Sequence, residues 1–182
     1  MKKLLAGAAL ASVATISLTA CGGSSADPVA TQAKTSIAKE LTANATTASD
    51  PFKDATKASC VANNVVDKIG TKALIGYGLI DAQGNATKAK LDSAKASKAD
   101  ATSLVDSLFS CAGPELMAQF QTTMAGREAS APPAAKACLT ALFTEDTFRT
   151  ILVAQMEGSS SADAVATMKD IQTKAAACAA MK

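Results

Sequence analysis

The sequence predicts an all-α domain, a small helical bundle held together by disulfide bonds. Apolar residues recur at helical spacing in several segments, and no segment shows the apolar–polar alternation of a half-buried strand. Aromatic residues make up only 3% of the chain, with one Tyr and no Trp, and alanine is frequent. This composition favours helices, because alanine has the highest helix propensity and strands are enriched in aromatic and β-branched residues.

Helices are predicted wherever apolar residues repeat at intervals of three or four. Glycines and prolines separate these segments, and Ser or Thr precedes several of them as an N-cap. In the first part of the chain, the segments are defined by Val61, Val65 and Ile69 before Gly70, and by Thr71–Ile80. In the middle, they are defined by Leu104, Leu108 and Cys111 after the capping box Ser97-x-x-Asp100, and by Leu116, Phe120 and Met124 after the Gly113-Pro114 break. In the last part, they are defined by Cys138, Leu139, Leu142 and Phe143 after Pro132-Pro133; by Phe148, Ile151 and Leu152 between Thr144 and Gly158; and by Val165, Met168, Ile171, Ala175 and Cys178 after Ser159–Ser161.

The chain from residue 22 to residue 50 has a weaker apolar pattern. It is rich in Gly, Ser, Thr and Ala, which is typical of a flexible tether. Pro28–Ala45 offers a marginal helix around Ile37 and Leu41. We therefore expect residues 21–50 to be a tether and residues 51–182 to be the helical domain.

Residues 81–100 are polar and contain a turn at Gln83-Gly84-Asn85. Their basic part, Thr87–Lys98, is interpreted as a solvated excursion. The alternative is a contact surface for an acidic partner, such as a cell-wall polymer or an acidic envelope protein.

The first 21 residues follow the pattern of an export signal. Two lysines precede Leu4–Leu18, an uncharged apolar run that is too short for a stable membrane span. Leu18-Thr19-Ala20-Cys21 resembles the lipobox of bacterial lipoproteins. The resemblance implies removal of residues 1–20, a diacylglyceryl thioether on Cys21, and a further acyl chain such as palmitate on the new amine. It thus implies a lipid anchor on the outer face of the cell membrane, or in the outer membrane of a two-membrane cell.

Removing the signal changes the charge balance. The precursor has 18 Lys and Arg against 16 Asp and Glu, and two of the lysines lie in the signal. The mature chain is therefore close to neutral. No basic field predicts a nucleic-acid partner.

Removing Cys21 also changes the cysteine count. The four remaining cysteines, an even number in an exported chain, predict two disulfides. Three connectivities are possible, and sequence order alone does not choose among them. A faint duplication, in which two cysteines bracket a similar helical order in each half, favours Cys60–Cys111 and Cys138–Cys178. The arrangement resembles small two-disulfide helical lipoproteins of actinobacteria, which implies a fold and no activity.

Several kinds of chemistry are excluded by residue type. The chain has no histidine, so Ser-His-Asp, Cys-His and HExxH sites are absent. Without histidine or a CxxC pair, neither a metal site nor a cofactor is expected. Ser36-Ile37-Ala38-Lys39 matches SxxK but lacks the companion motifs of serine acyl-enzymes. Glu145-Asp146 follows an N-cap threonine, where acids stabilise a helix start.

Asn63-Asn64 lies in the middle of a predicted helix, where asparagine is disfavoured. The pair either faces solvent or lines a polar pocket.

These observations predict a membrane-anchored, non-enzymatic binding or interaction domain. One alternative is a carrier that holds an apolar ligand in a cavity between helices. The other is a small cell-envelope hydrolase that works without histidine.

Overall fold

The computed structural model describes residues 27–47, 49–88, 95–127, 131–158 and 161–181. Apart from one isolated bridge between Ile80 and Ala86, these residues contain no β-structure. The all-α class is confirmed. The helices are α1 (Pro28–Asn44), α2 (Ala55–Ile69), α3 (Thr71–Gly76), α4 (Lys98–Arg127), α5 (Pro133–Leu142), α6 (Glu145–Glu157) and α7 (Ala162–Ala179), with a 3₁₀ turn at Pro51–Lys53.

The helices pack in series, and this order determines where the disulfides lie. Helix α1 packs on α2, α2 on α4, α4 on α6, α6 on α7 and α7 on α5. The Cys60–Cys111 bridge joins α2 to α4, and the Cys138–Cys178 bridge joins α5 to α7. The expected disulfide staple is present, and its pairs are those that the duplicated pattern favours.

Four helix ends lie where the local sequence signals place them. Gly70 and Gly158 end α2 and α6 with φ values of 83° and 84°, which a residue with a side chain rarely adopts. Thr144 accepts a hydrogen bond from the amide of Thr147, and Ser161 accepts one from the amide of Ala164. Each hydroxyl satisfies an amide that has no partner within the helix.

Two helices differ in detail from the prediction. Helix α3 ends at Gly76 instead of continuing to Ile80, because the chain turns at Gly78 with a φ of 69°. The expected break at Gly113-Pro114 is a kink inside α4. Its centre is Ala112, with a φ of −146°, since Pro114 cannot donate to the preceding turn.

The core lies between α1, α2, α3 and the first half of α4. Leu74 and Ile80 are almost completely buried, and Phe109 and Met156 are 5% and 4% exposed. The buried apolar residues of the α5–α7 half are three alanines, Ala135, Ala154 and Ala164, together with Met156, Ile171 and Cys178. The larger core therefore belongs to the first half of the domain.

Helix α1 belongs to this core, so the domain begins earlier than the expected boundary at residue 51. Asp27 caps the helix by accepting from the amide of Val29, and Ala33 is completely buried against the core. The small side chain of Ala33 allows close helix packing. Residues 21–26, at the start of the expected tether, lie outside the described part of the chain.

Candidate ligand-binding cavity

A cavity of about 620 Å³ lies between α1, α2, α4 and the chain that follows α3. Its volume falls within the range of about 300–1,000 Å³ that is typical of small-molecule sites. Its apolar lining is Ile37, Leu41, Val61, Val65, Leu74, Leu79, Ala86, Leu104, Leu108 and Met156; its polar lining is Glu40, Asn44, Thr87 and Lys88.

The exposure of these residues gives the cavity a floor and a rim. Val61, Val65, Leu74, Leu104 and Met156 form the floor, and each is at most 5% exposed. The apolar side chains of Ile37, Leu41 and Leu108 are half-buried, whereas Asn44 and Lys88 are exposed. An apolar group that enters from the rim would therefore leave water and reach a dry, aliphatic floor.

The rim carries both signs of charge. Glu40 and Asn44 lie one turn apart near the end of α1, and the Asn44 amide donates to Glu40 Oε1 at 3.0 Å. Lys88 reaches the rim from the chain after α3. Thr87 is held in place, because its hydroxyl donates to the carbonyl oxygen of Gly78 and its amide donates to that of Leu79.

One wall of the cavity is positioned by the turn at residues 81–86. Asp81 organises the turn, since its carboxylate accepts from the backbone and the side chain of Asn85. The turn is attached to α1 through Ser36, whose hydroxyl donates to the carbonyl oxygen of Gly84 at 2.7 Å and accepts from the amide of Ala86 at 2.9 Å. The serine of the SxxK match therefore holds two chain segments together.

The other polar motifs that the sequence offers, Asn63-Asn64 and Glu145, do not line this cavity. Asn63 is exposed, and the half-buried Asn64 amide lies 3.2 Å from the sulfur of Cys111 and 3.3 Å from the hydroxyl of Ser110. Glu145 pairs with Arg149 one turn later at 2.7 Å. Neither asparagine lines the cavity.

The pKa shifts of three carboxyl groups have the direction that hydrogen bonding to the charged form produces. Backbone hydrogen bonding from Thr56 lowers the pKa of Asp54, and the Asn85 side chain lowers that of Asp81. The hydrogen bond from Lys57 lowers the pKa of Glu115. A carboxyl group that acts as a general acid requires the opposite shift, a raised pKa.

Among the described residues, no three His, Cys, Asp or Glu side chains are close enough to hold a metal ion. No described helix is both long and apolar enough to cross a membrane. The expected lipidation site, Cys21, lies outside the described residues, as do residues 89–94 of the basic stretch. The cysteines that do lie in the described domain are paired away from the cavity, on α2–α4 and α5–α7.

The sequence pattern does not mark the cavity residues as a set. Ile37, Leu41, Val61, Val65, Leu104 and Leu108 have ordinary helical spacing, which predicts a packed face and does not reveal a gap. The only available signal was the pair Ile37 and Leu41 in an otherwise polar segment.

Comparison of the chain with models of protein families, with curated proteins and with solved structures finds no match.

Proposed function

We propose that this chain is a bacterial lipoprotein whose helical domain binds an apolar or amphipathic small molecule without transforming it. The cavity between α1, α2 and α4 carries this proposal. It combines a volume of about 620 Å³ with an aliphatic floor and a few polar groups at its rim. That combination is typical of a ligand site.

Binding in this cavity would be driven by the removal of apolar surface from water. Each Å² of apolar surface that is removed from water contributes about 25 cal/mol. The cavity contains no set of side chains suited to acid–base or nucleophilic chemistry. Its one carboxylate, Glu40, is bonded to Asn44, and its one amine, Lys88, is exposed.

The membrane anchor rests on the lipobox at Leu18–Cys21 and is consistent with two disulfides, which form in oxidising, extracytoplasmic compartments. The first described residue, Asp27, follows Cys21 by six residues, so the cavity would lie close to the lipid surface. Two or more acyl chains give stable anchoring. The location is the outer face of the cell membrane, or the outer membrane if the cell has two.

Acylation is tested by the intact mass of the protein extracted from membranes, before and after reduction. We expect the mass of a chain that starts at Cys21 with added acyl chains, and a gain of four hydrogens on reduction. Cys21→Ser should retain the signal and lose the lipid, whereas Ser24→Ala should be lipidated normally. An unmodified Cys21 in the membrane-extracted protein would contradict the anchor.

Ligand binding is tested with a fluorescent alkyl probe that brightens in an apolar site. Leu41→Trp fills the half-buried wall of the cavity and should weaken binding at least tenfold. Ala43→Trp places the same side chain on the same helix at an exposed position outside the cavity, and should bind like the parent protein. Equal binding by the two variants, or no binding by the parent, would contradict the cavity and favour an envelope protein or polymer as the partner.

A further inference from the structure

The polar groups of the cavity are concentrated where it meets solvent. Asn44 and Lys88 are exposed and Glu40 is half-buried, whereas every residue of the floor is apolar. A ligand that is apolar throughout would make no use of the charges of Glu40 and Lys88 at the rim. A ligand with one polar end and one apolar end would satisfy both regions.

The size of the cavity suits a single short chain. Along α1, the wall from Ile37 to Asn44 covers eight residues, and the seven steps between them correspond to about 10 Å of helix. The aliphatic residues Ile37, Leu41 and Leu108 also line the cavity, and their exposure is intermediate between that of the rim and that of the floor. An alkyl chain would thus contact aliphatic side chains along the length of this wall.

The charges of the rim select the head of the ligand. Glu40 attracts a cation and Lys88 attracts an anion, and both line the same cavity. A carboxylate head would pair with Lys88 but would be repelled by Glu40. An alkylammonium head would pair with Glu40 but would be repelled by Lys88. A head with both charges satisfies both residues, and Asn44 adds an amide beside Glu40.

We propose that the ligand of this cavity is a single-chain zwitterionic amphiphile, with a phosphate facing Lys88 and an amine or quaternary ammonium facing Glu40. The inference rests on the proposed function, and it adds the chemical class of the ligand. It places the alkyl chain against the floor formed by Val61, Val65 and Leu104.

The test compares three probes that share a twelve-carbon chain and differ in the head: dodecylphosphocholine, laurate and dodecyltrimethylammonium. Each is titrated against the oxidised protein below its critical micelle concentration, and circular dichroism verifies that the helices persist. We expect dodecylphosphocholine to bind more tightly than either singly charged probe. Because the rim is solvated, each charge contact contributes little, and the advantage should be about two- to fivefold.

Two variants test the role of each charge. Lys88→Ala should weaken dodecylphosphocholine and laurate by about two- to fivefold and should strengthen dodecyltrimethylammonium. Glu40→Gln should have the opposite effect on the two singly charged probes: it should strengthen the binding of laurate and weaken that of dodecyltrimethylammonium. Lys39→Ala removes an exposed lysine next to Glu40 that does not line the cavity, and it should change none of the three affinities.

The outcomes separate the two proposals. The head-group assignment would be wrong if laurate or dodecyltrimethylammonium bound more tightly than the zwitterion, or if all three probes bound equally. In either case the cavity would still be a binding site for an alkyl chain. If none of the probes binds, the proposed function fails together with this inference.

Discussion

Ser36 on α1 and Gly84 in the turn after α3 are joined by a hydrogen bond of 2.7 Å across 48 residues of sequence. Gly84 is buried against α1 with a φ of 85°. A Cβ atom at this position would lie 2.5 Å from the carbonyl oxygen of Val29. The turn can therefore approach α1 only because residue 84 has no side chain, and this approach forms one wall of the cavity.

Gly84→Ala should destabilise the domain by about 2–4 kcal/mol, because it combines an unfavourable φ with a backbone clash. The measurement is urea unfolding of the oxidised protein. Gly76→Ala is the matched control, since nothing lies within 4 Å of its added Cβ. That control should be neutral or stabilising by up to about 1 kcal/mol. Similar losses in the two variants would contradict the close approach at Gly84.

Removing the Cys138–Cys178 bridge should affect the second half of the domain selectively. Replacing both cysteines by alanine should lower stability by about 3–4 kcal/mol through the unfolded chain. Helix α5 packs on α7, and the buried residues of these two helices are small apart from Ile171, namely Ala135, Ala164 and Cys178, so few large apolar contacts hold the pair together. Hydrogen exchange should show lost amide protection in α5 and α7 and retained protection in α2. Uniform loss of protection along the chain would show instead that the two halves unfold as one unit.

The Asn85 side chain should be required for the low pKa of Asp81. Hydrogen bonds from Asn85 favour the charged carboxylate and lower its pKa below the ordinary value of 3.8. Asn85→Ala should therefore raise the pKa of Asp81 towards 3.8, as measured by NMR titration of the carboxyl carbon. Asn63→Ala, at an exposed position on α2, should leave that pKa unchanged.

The same shift gives the sign of the pH dependence. Because the pKa of Asp81 is lower in the folded chain, its contribution to stability is present above pH 3.8 and is lost as the pH falls through the folded-state pKa. The free energy of unfolding should therefore decrease on acidification below about pH 4, and less steeply in Asn85→Ala. If the free energy of unfolding of that variant decreases as steeply on acidification as that of the parent protein, carboxyl groups other than Asp81 cause the decrease.

Arg149 links α6 to α4 through contacts that lysine cannot reproduce. Its guanidinium lies 4.0 Å from the ring centroid of Phe109 and bonds to Asp106 at 2.9 Å and to Glu145 at 2.7 Å. Arg149→Lys keeps the charge but loses the planar fork and the stacking, and we expect a loss of about 1 kcal/mol in thermal or urea unfolding.

Lys174→Ala provides the comparison for Arg149. It breaks an exposed pair with Asp170 within α7 and should cost less than about 0.5 kcal/mol. If both substitutions have the same small effect, the contacts of Arg149 are not stabilising.

Local signals in the sequence were sufficient for several helix ends, although not for the end of α3 at Gly76. Gly70, Thr144, Gly158 and Ser161 act through the backbone of their own neighbourhood, so their roles are visible without the rest of the molecule. The same holds for the kink near Pro114, because proline lacks an amide hydrogen wherever it occurs.

The packing of α1 into the core could not be predicted from local signals in the sequence. Its sequence has few large apolar residues, and its most buried residue is Ala33. Whether an alanine is buried depends on which distant segment approaches it. The roles of Ser36 and Gly84 depend in the same way on a contact between segments that are far apart in sequence.

The sequence by itself determined the all-helical class, several of the helix ends, the number of disulfides in the domain and the presence of the lipobox-like motif. These properties follow from residue types and short-range spacing. Only the tertiary structure decided that α1 belongs to the domain and that Ile37, Leu41, Leu74 and Leu108 surround a cavity. The physical reason is that helical periodicity specifies which side of a helix is apolar, whereas the fit between several apolar faces decides whether the space between them is filled.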